Sequence, residues 1–196
     1  MLKRLLLGLT AVSIVALSGC ALSPQQLSPT PKLNGSLTAV GQGQPVVVKV
    51  VDGRSSPVLG TRGGLYADTS NIVVPAENVL PKLQAQSEAA VRLLGFTPTQ
   101  GGGNVPQLTV VLAETKYQSP KESNYVTSAD ISATLRAELR SPSGRQYTGR
   151  YGASLNQRFG MAPNVETNTK LVSDVLSDAL TRMFRDPTIG EMLQSR

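Results

Sequence analysis

The sequence predicts an α+β fold, a two-layer sandwich in which two main helices cover one face of a mainly antiparallel sheet. Three patterns predict it. Residues 131–139 alternate strictly between apolar and polar, residues 46–51 form a β-branched run, and two stretches near 76–94 and 165–184 carry apolar residues at helical spacing. Strands and helices in this mixed order are typical of a sheet with helices on one side.

The alternating region predicts a long hairpin. Odd positions of residues 131–139 are apolar and even positions are polar, which indicates a half-buried antiparallel strand. A Ser-Pro-Ser-Gly turn follows at 141–144, and residues 147–155 alternate again. We therefore expect one hairpin face to pack on the core, with Tyr147 and Tyr151 on it, and the other face to meet water.

The remaining elements follow from local signals. Residues 46–51 predict a central strand that ends at an Asp-Gly turn, and residues 108–113 predict another. The first helix begins at Pro75 and stops before Gly95, a residue typical of helix ends. The second begins near Val165 and ends before Pro187, which can open a short terminal helix.

The first residues carry a targeting signal. Lys3 and Arg4 precede an apolar stretch over 5–17, which is shorter than the roughly 20 residues a membrane-spanning helix needs. It ends in Leu17, Ser18, Gly19 and Cys20, a sequence that resembles the lipobox of bacterial lipoproteins. The alternative is a buried helix with a core cysteine. The resemblance implies that residues 1–19 are a signal peptide and that Cys20 receives a diacylglycerol and an N-acyl chain such as palmitate.

Two further observations bear on the anchor. Cys20 is the only cysteine, so no intrachain disulfide is possible, and two or more acyl chains suffice for stable membrane binding. Ala21 stands where an Asp would be the usual inner-membrane retention signal of Gram-negative lipoproteins. By that resemblance we expect an outer-membrane protein that faces the periplasm.

The domain organisation follows from composition. Residues 20–45 contain Pro24, Pro29, Pro31 and Pro45 among many Ser, Gln and Gly, which predicts a flexible tether, of which residues 33–40 could still pack on the edge of the domain. Such a tether would hold the domain several tens of ångströms from the bilayer, at about 3 Å per residue. Residues 46–196 have a length suited to a single globular α+β domain.

The composition excludes most catalytic chemistry. The chain has no His, its one Cys is assigned to the lipid, and its 13 Asp and Glu show no spacing typical of paired acid and base catalysis. We expect no enzyme, no metal and no cofactor besides the covalent lipid. A hydrolase that uses carboxylates alone stays open, because such residues need only meet in space.

The charge pattern provides one candidate site. The formal net charge is +6, without the runs of basic and aromatic residues typical of nucleic-acid binding. By strand parity Arg136, Arg140 and Arg150 share the wet face of the hairpin. They form either a patch for an anionic partner or an ordinary solvated face whose charge Glu138 partly offsets.

Several short motifs also occur in a characteristic order. The L-S-G-C sequence is followed by L-S-P-T-P, then VVVKVVDGR and V-L-G-T-R, and the chain closes on R-D-P-T-I-G-E-M-L. In this order the sequence resembles the YajG family of Gram-negative lipoproteins, through pairs such as Asp52 with Arg54, Gly60 with Arg62, and Asp186 with Pro187. The resemblance implies a location and an α+β fold, and it supplies no catalytic residues.

The sequence therefore supports a non-enzymatic outer-membrane lipoprotein whose periplasmic domain binds an envelope protein or assembly. The alternative is a carrier that holds a lipid or a peptidoglycan fragment between sheet and helices, auxiliary to envelope transport. An envelope hydrolase is the third hypothesis and the least supported, because the chain lacks His.

Overall fold

The computed structural model describes residues 23–63, 67–101, 104–119 and 128–194. Their strands are β1 (Gln25–Gln26), β2 (Pro45–Asp52), β3 (Val58–Thr61), β4 (Asn71–Val73), β5 (Thr97–Thr99), β6 (Gln107–Gln118), β7 (Ser128–Arg140) and β8 (Gln146–Arg158). Their helices are α1 (Ala76–Leu93), α2 (Val165–Arg185) and α3 (Pro187–Gln194), with a short 3-10 turn at Ala67–Thr69. The predicted signal peptide and lipobox lie outside the described residues.

The predicted hairpin is the longest antiparallel pairing of these strands. β7 and β8 pair without interruption from Ser128 opposite Arg158 to Arg140 opposite Gln146. Odd positions of β7 from Ala129 to Leu139 are buried. The alternation in the sequence therefore reports the two faces of this strand correctly.

The sheet has a main body and a side branch. Strands run in the order β5, β2, β6, β7, β8, with β2 parallel to both β5 and β6 and the hairpin antiparallel. β3 touches the other half of β6 where Gly60 pairs with Tyr117, and β4 and β1 extend from β3. The predicted α+β sandwich with a mainly antiparallel sheet is confirmed.

The helix ends match the local signals. Leu94 terminates α1, and Gly95 follows with a φ of 90°, a left-handed conformation that glycine adopts at helix ends. The Asn164 side chain accepts a 2.8 Å hydrogen bond from the Thr167 backbone N–H and so caps α2. Both main helices therefore begin and end where the sequence indicates.

The core lies between the sheet and these helices. α1 packs on β2 and β5, whereas α2 packs on β7 and β8. Their apolar stripes meet the inward side chains of the strands, which leaves this interior filled by fully or almost fully buried residues such as Leu83, Leu108, Leu135, Leu176 and Leu180. At roughly 25 cal/mol per Å² of apolar area, this burial is the main stabilising contribution.

The N-terminal segment corrects one prediction. From residue 23 on, the stretch expected to be a flexible tether is packed on the domain. Gln25 and Gln26 pair with β4, and Leu27 is fully buried. Its prolines marked an extended conformation, and extended chain is equally suited to a groove when neighbouring side chains satisfy its backbone groups. We call residues 23–43 the N-terminal strap.

Candidate functional site

Among the described residues, no helix covers one face of the sheet. Even-numbered residues of β7 and β8 and odd-numbered residues at the start of β6 and β2 point to this face, since the alternate positions enter the core. We call it the open face. Its charged members are Lys49, Glu114, Lys116, Asp130, Arg136, Glu138, Arg140, Arg150 and Arg158.

The structure brings two of the three predicted arginines together. Arg136 and Arg150 are directly opposite each other in the β7–β8 ladder, so their side chains leave the same face side by side. Cβ atoms at such positions lie about 5 Å apart, where like charges repel. Two adjacent guanidinium groups favour an anion that bridges them.

Glu138 neutralises only part of the positive charge of the predicted arginine patch. The Arg136 Nε and Nη2 atoms both lie 2.8 Å from Glu138 Oε1. Among the described residues, no carboxylate pairs with Arg150 or Arg140. The predicted patch therefore has one compensated and two uncompensated cations.

Arg140 lies farther along the strand, about 13 Å from Arg136 at the usual rise per residue. It is opposite Gln146 on one side and Gln107 on the other. Together with Thr109 and Thr148 these residues line a shallow polar groove across the open face. Arg140 thus extends the surface of Arg136 and Arg150 and does not join their cluster.

The opposite layer contains a feature that the sequence analysis missed. The strap runs beside α2, and the backbone N–H groups of Thr30, Lys32 and Asn34 each donate a 2.9 Å hydrogen bond to a side-chain hydroxyl. The acceptors are, in order, Ser173, Ser177 and Thr181. Two extended residues advance about 6 to 7 Å and four helical residues about 6 Å, so the two chains stay in register.

α1 holds the other side of the strap. Asn78 and Lys82 donate to the carbonyl groups of Leu27, Ser28 and Pro29, over 3.0 to 3.3 Å. Gln86 accepts the backbone N–H of Leu33 at 3.1 Å. These three side chains also recur every fourth residue. The strap is therefore clamped between a polar row on each helix.

A buried polar chain fixes the start of the strap. The Tyr117 hydroxyl donates to Asn168 Oδ1 over 3.1 Å, Asn168 Nδ2 donates to Gln25 Oε1 over 2.6 Å, and Gln25 Nε2 donates to the carbonyl of Pro163. Burial raises the pKa of Tyr117 to about 12, although the nearby charge of Arg62 opposes that shift. The tyrosine is thus neutral and acts as a donor.

A second polar cluster joins the hairpin to the helices. Tyr147 and Tyr151 point to the core side, as predicted, and both hydroxyls donate to Asp186 Oδ2, over 2.8 and 2.6 Å. Burial raises the pKa of Asp186, but hydrogen bonds from Tyr151, the Thr188 backbone N–H and Tyr147 outweigh it, so the pKa lies below its usual value. This charged group also caps α3 through Thr188.

The Asp52 and Arg54 pair forms a third junction. The Arg54 side chain is only 4% exposed and contacts both carboxylate oxygens of Asp52, over 2.8 and 2.9 Å. It also donates to the Val74 carbonyl over 3.1 Å. The hydrogen bond from Arg54, opposed by burial, holds the pKa of Asp52 below its usual range. This pair ties the end of β2 to the chain that follows β4.

The described residues provide few other groups suited to catalysis or to metal binding. Within them, no three Asp, Glu, His or Cys side chains gather where they could hold a metal ion. None of their helices is long and apolar enough to cross a membrane. Cys20, the predicted lipidation site, and Leu17, Ser18 and Gly19 of the lipobox lie outside the described residues.

A comparison with models of known protein families shows to which family the chain belongs. A family model described as an uncharacterised lipoprotein, Lipoprotein_16, matches residues 31–194. The chain belongs to this family. It is the YajG family, so the resemblance stated from the motifs is confirmed. A family of lipoproteins places the protein among membrane-anchored proteins of the cell envelope. No curated protein matches the sequence.

Solved structures extend the comparison at low identity. This YajG-family protein is similar to XCC0632 of Xanthomonas campestris, with a TM-score of 0.53, 12% identity, and coverage of 86% of this chain and 96% of the other. It also matches rare lipoprotein B of Shewanella oneidensis (TM-score 0.48, 10% identity, 74% and 96% covered) and a minor lipoprotein of Acinetobacter baumannii (0.46, 10%, 76% and 95%). The XCC0632 likeness shows a shared fold alone.

Proposed function

We propose that this YajG-family protein is a non-enzymatic lipoprotein, anchored through acylated Cys20 in the outer membrane, whose open face binds an acidic surface of an envelope protein. The observation that carries the binding role is the adjacent pair Arg136 and Arg150. Charged side chains directly opposite each other with the same sign cost stability. A partner carboxylate would remove that cost and gain charge-assisted hydrogen bonds.

The arrangement of the layers supports this choice of surface. Among the described residues, the helices and the strap occupy one side of the sheet, and mainly polar and charged side chains with a few valines occupy the other. A sheet face that is left uncovered is accessible to a partner protein. Arg is favoured at such a surface because its guanidinium group forms bidentate contacts with carboxylates. The chain has no His, and its one Cys is the predicted lipidation site.

The alternative, a carrier of lipid or peptidoglycan fragments, has less support. It requires room between the sheet and the helices. In the described structure that layer is filled by side chains at or near 0% exposure, among them Leu112, Ile131, Val172 and Met183. A tail would have to displace well-packed residues, at a cost of several kcal/mol.

Photocrosslinking in cells tests the proposed surface. A photoreactive amino acid at Thr148, which is exposed on the open face, is compared with one at Ala85, which is exposed on α1. We expect a discrete protein adduct from position 148 and none from position 85. The double variant Arg136→Glu, Arg150→Glu should abolish the adduct.

The control keeps the total charge change equal. Lys32 and Arg182 are exposed on the helical side, so the double variant Lys32→Glu, Arg182→Glu should retain the adduct. Loss of the adduct in both double variants would indicate a general effect of charge. An adduct that survives Arg136→Glu, Arg150→Glu, or equal adducts from both positions, would contradict the proposal.

A further inference from the structure

The strap enters the fold at one end of the sheet. The Ser23 carbonyl accepts a 2.8 Å hydrogen bond from Arg62 Nη2, directly after β3. β3 meets the end of β6 through Gly60 opposite Tyr117, and that end continues to the Ser128 and Arg158 end of the hairpin. We call this side of the domain the anchor end.

Chain length limits how far the lipid is from the anchor end. Cys20 precedes Ser23 by three residues, and an extended chain covers at most about 3.5 Å per residue. A lipid attached to Cys20 would therefore be within about 10 Å of Ser23. A domain held so closely would rest its anchor end on the bilayer.

An apolar loop lies at this same end. Met161, in the segment that joins β8 to α2, is 86% exposed, and Val165, the first residue of α2, is 45% exposed. The Pro163 carbonyl between them accepts a 3.2 Å hydrogen bond from Gln25 of the strap. The loop is thus fixed beside the point where the anchored chain enters the fold.

Exposed Met and Val side chains are ordinary when scattered over a surface. Here, two of the large exposed apolar side chains lie beside the entry of a chain that ends in acyl groups. We propose that the loop of residues 159–165 inserts Met161 and Val165 into the interfacial layer of the phospholipid bilayer. This inference rests on the proposed lipidation of Cys20.

The charges around the loop favour insertion by apolar contact. Arg158 is exposed on one side and Glu166 on the other, so the two formal charges offset each other. Binding then depends on the apolar side chains and on the proximity that the lipid anchor provides. In this orientation the strands of the open face rise away from the bilayer, and Arg140 lies at the end of the hairpin opposite to Ser128 and Arg158.

An environment-sensitive fluorophore tests the insertion. Cys20 is the only cysteine and its thiol is consumed by the lipid, so Met161→Cys provides a single reactive thiol in the acylated full-length protein. Leu93→Cys is the matched control, because Leu93 is 52% exposed at the end of α1. That helix end lies near β5 and the start of β2, opposite the anchor end. Both labelled proteins are reconstituted into vesicles of phosphatidylethanolamine and phosphatidylglycerol.

We expect the label at position 161 to shift its emission to the blue and gain intensity several-fold on reconstitution. Brominated lipids should quench it, while the label at position 93 should remain in water. If both labels remain in water although the acylated protein floats with the vesicles, the loop does not insert into the bilayer and the inference is wrong, whereas anchoring through the lipid is retained. If the protein carries no acyl chain and does not float, the proposed anchor fails, and the inference fails with it.

Discussion

The Ser177 hydroxyl accepts the backbone N–H of Lys32 at 2.9 Å and donates to the Ser173 carbonyl within its own helix at 2.6 Å. One side chain thus satisfies groups on two elements. Thr181 makes the same pair of bonds, to Asn34 and to the Ser177 carbonyl. These bonds hold the extended strap against α2.

Removal of this central hydroxyl should destabilise the protein. Ser177→Ala leaves the Lys32 N–H without its partner, and we expect the free energy of unfolding to fall by about 1 kcal/mol. The matched control is Ser87→Ala in α1, since the buried Ser87 hydroxyl has no hydrogen-bond partner among the described residues. Urea unfolding of both variants measures the difference. An equal loss in both would contradict the role of the strap.

The Asp186 cluster should contribute to the pH dependence of stability. Because the pKa of Asp186 is lowered in the fold, its contribution is full above the unfolded value of about 3.9 and is lost as pH falls through the folded value. Asp186→Asn keeps a good helix cap but removes the charge. We expect the free energy of unfolding of this variant to fall less steeply with decreasing pH than that of the wild type. An equally steep fall in both proteins would exclude this contribution.

Loss of one donor tests the same cluster at neutral pH. Tyr151→Phe removes a 2.6 Å hydrogen bond to the charged Asp186 carboxylate, for which we expect a loss of about 1.5 to 3 kcal/mol at pH 7. The loss should shrink once the carboxylate is protonated in acid. Thermal unfolding at both pH values provides the comparison. A loss that is the same at both would indicate packing alone.

Gly149 makes room for the tyrosines. A Cβ at this position would overlap the Tyr151 hydroxyl and come within 2.8 Å of the Tyr147 hydroxyl. Gly149→Ala should therefore displace both rings. We expect the free energy of unfolding to fall by about 1 to 3 kcal/mol and the melting temperature to fall by several degrees. Gly152→Ala on the same strand has no contact closer than 3.9 Å and should be tolerated. The prediction fails if the two variants melt together.

The buried ion pair should matter more than an exposed one. Arg54→Ala removes contacts to Asp52 and to the Val74 carbonyl, and we expect a loss of roughly 3 kcal/mol. Lys116→Ala removes an exposed pair with Glu114 and should cost less than about 1 kcal/mol. Guanidinium unfolding measures both, and similar losses would refute the difference in burial as the cause.

The regular elements were predictable because their signals are local. The alternation on β7, the glycine after α1 and the proline that opens α3 each depend on neighbouring residues. Parity also placed Arg136 and Arg150 on one face, but only the register of the hairpin made them direct neighbours. Register is a long-range property, and a shift by one residue would have reversed the face.

The strap was not predictable from its own composition. Prolines and small polar residues favour extended chain in water and in a groove alike. A signal did exist on the helices, where Ser173, Ser177 and Thr181 repeat every fourth residue beside the apolar stripe. Such a polar row indicates an ordered partner, but it does not identify which segment supplies it.

The anchor is the central claim, and palmitate labelling with membrane fractionation tests it most directly. Wild type and Cys20→Ala are compared in growing cells. We predict that the wild type alone takes up label and is recovered with the outer membrane. Absence of label from both proteins, or equal label in both, would contradict the account, because the lipobox would then not direct acylation of Cys20.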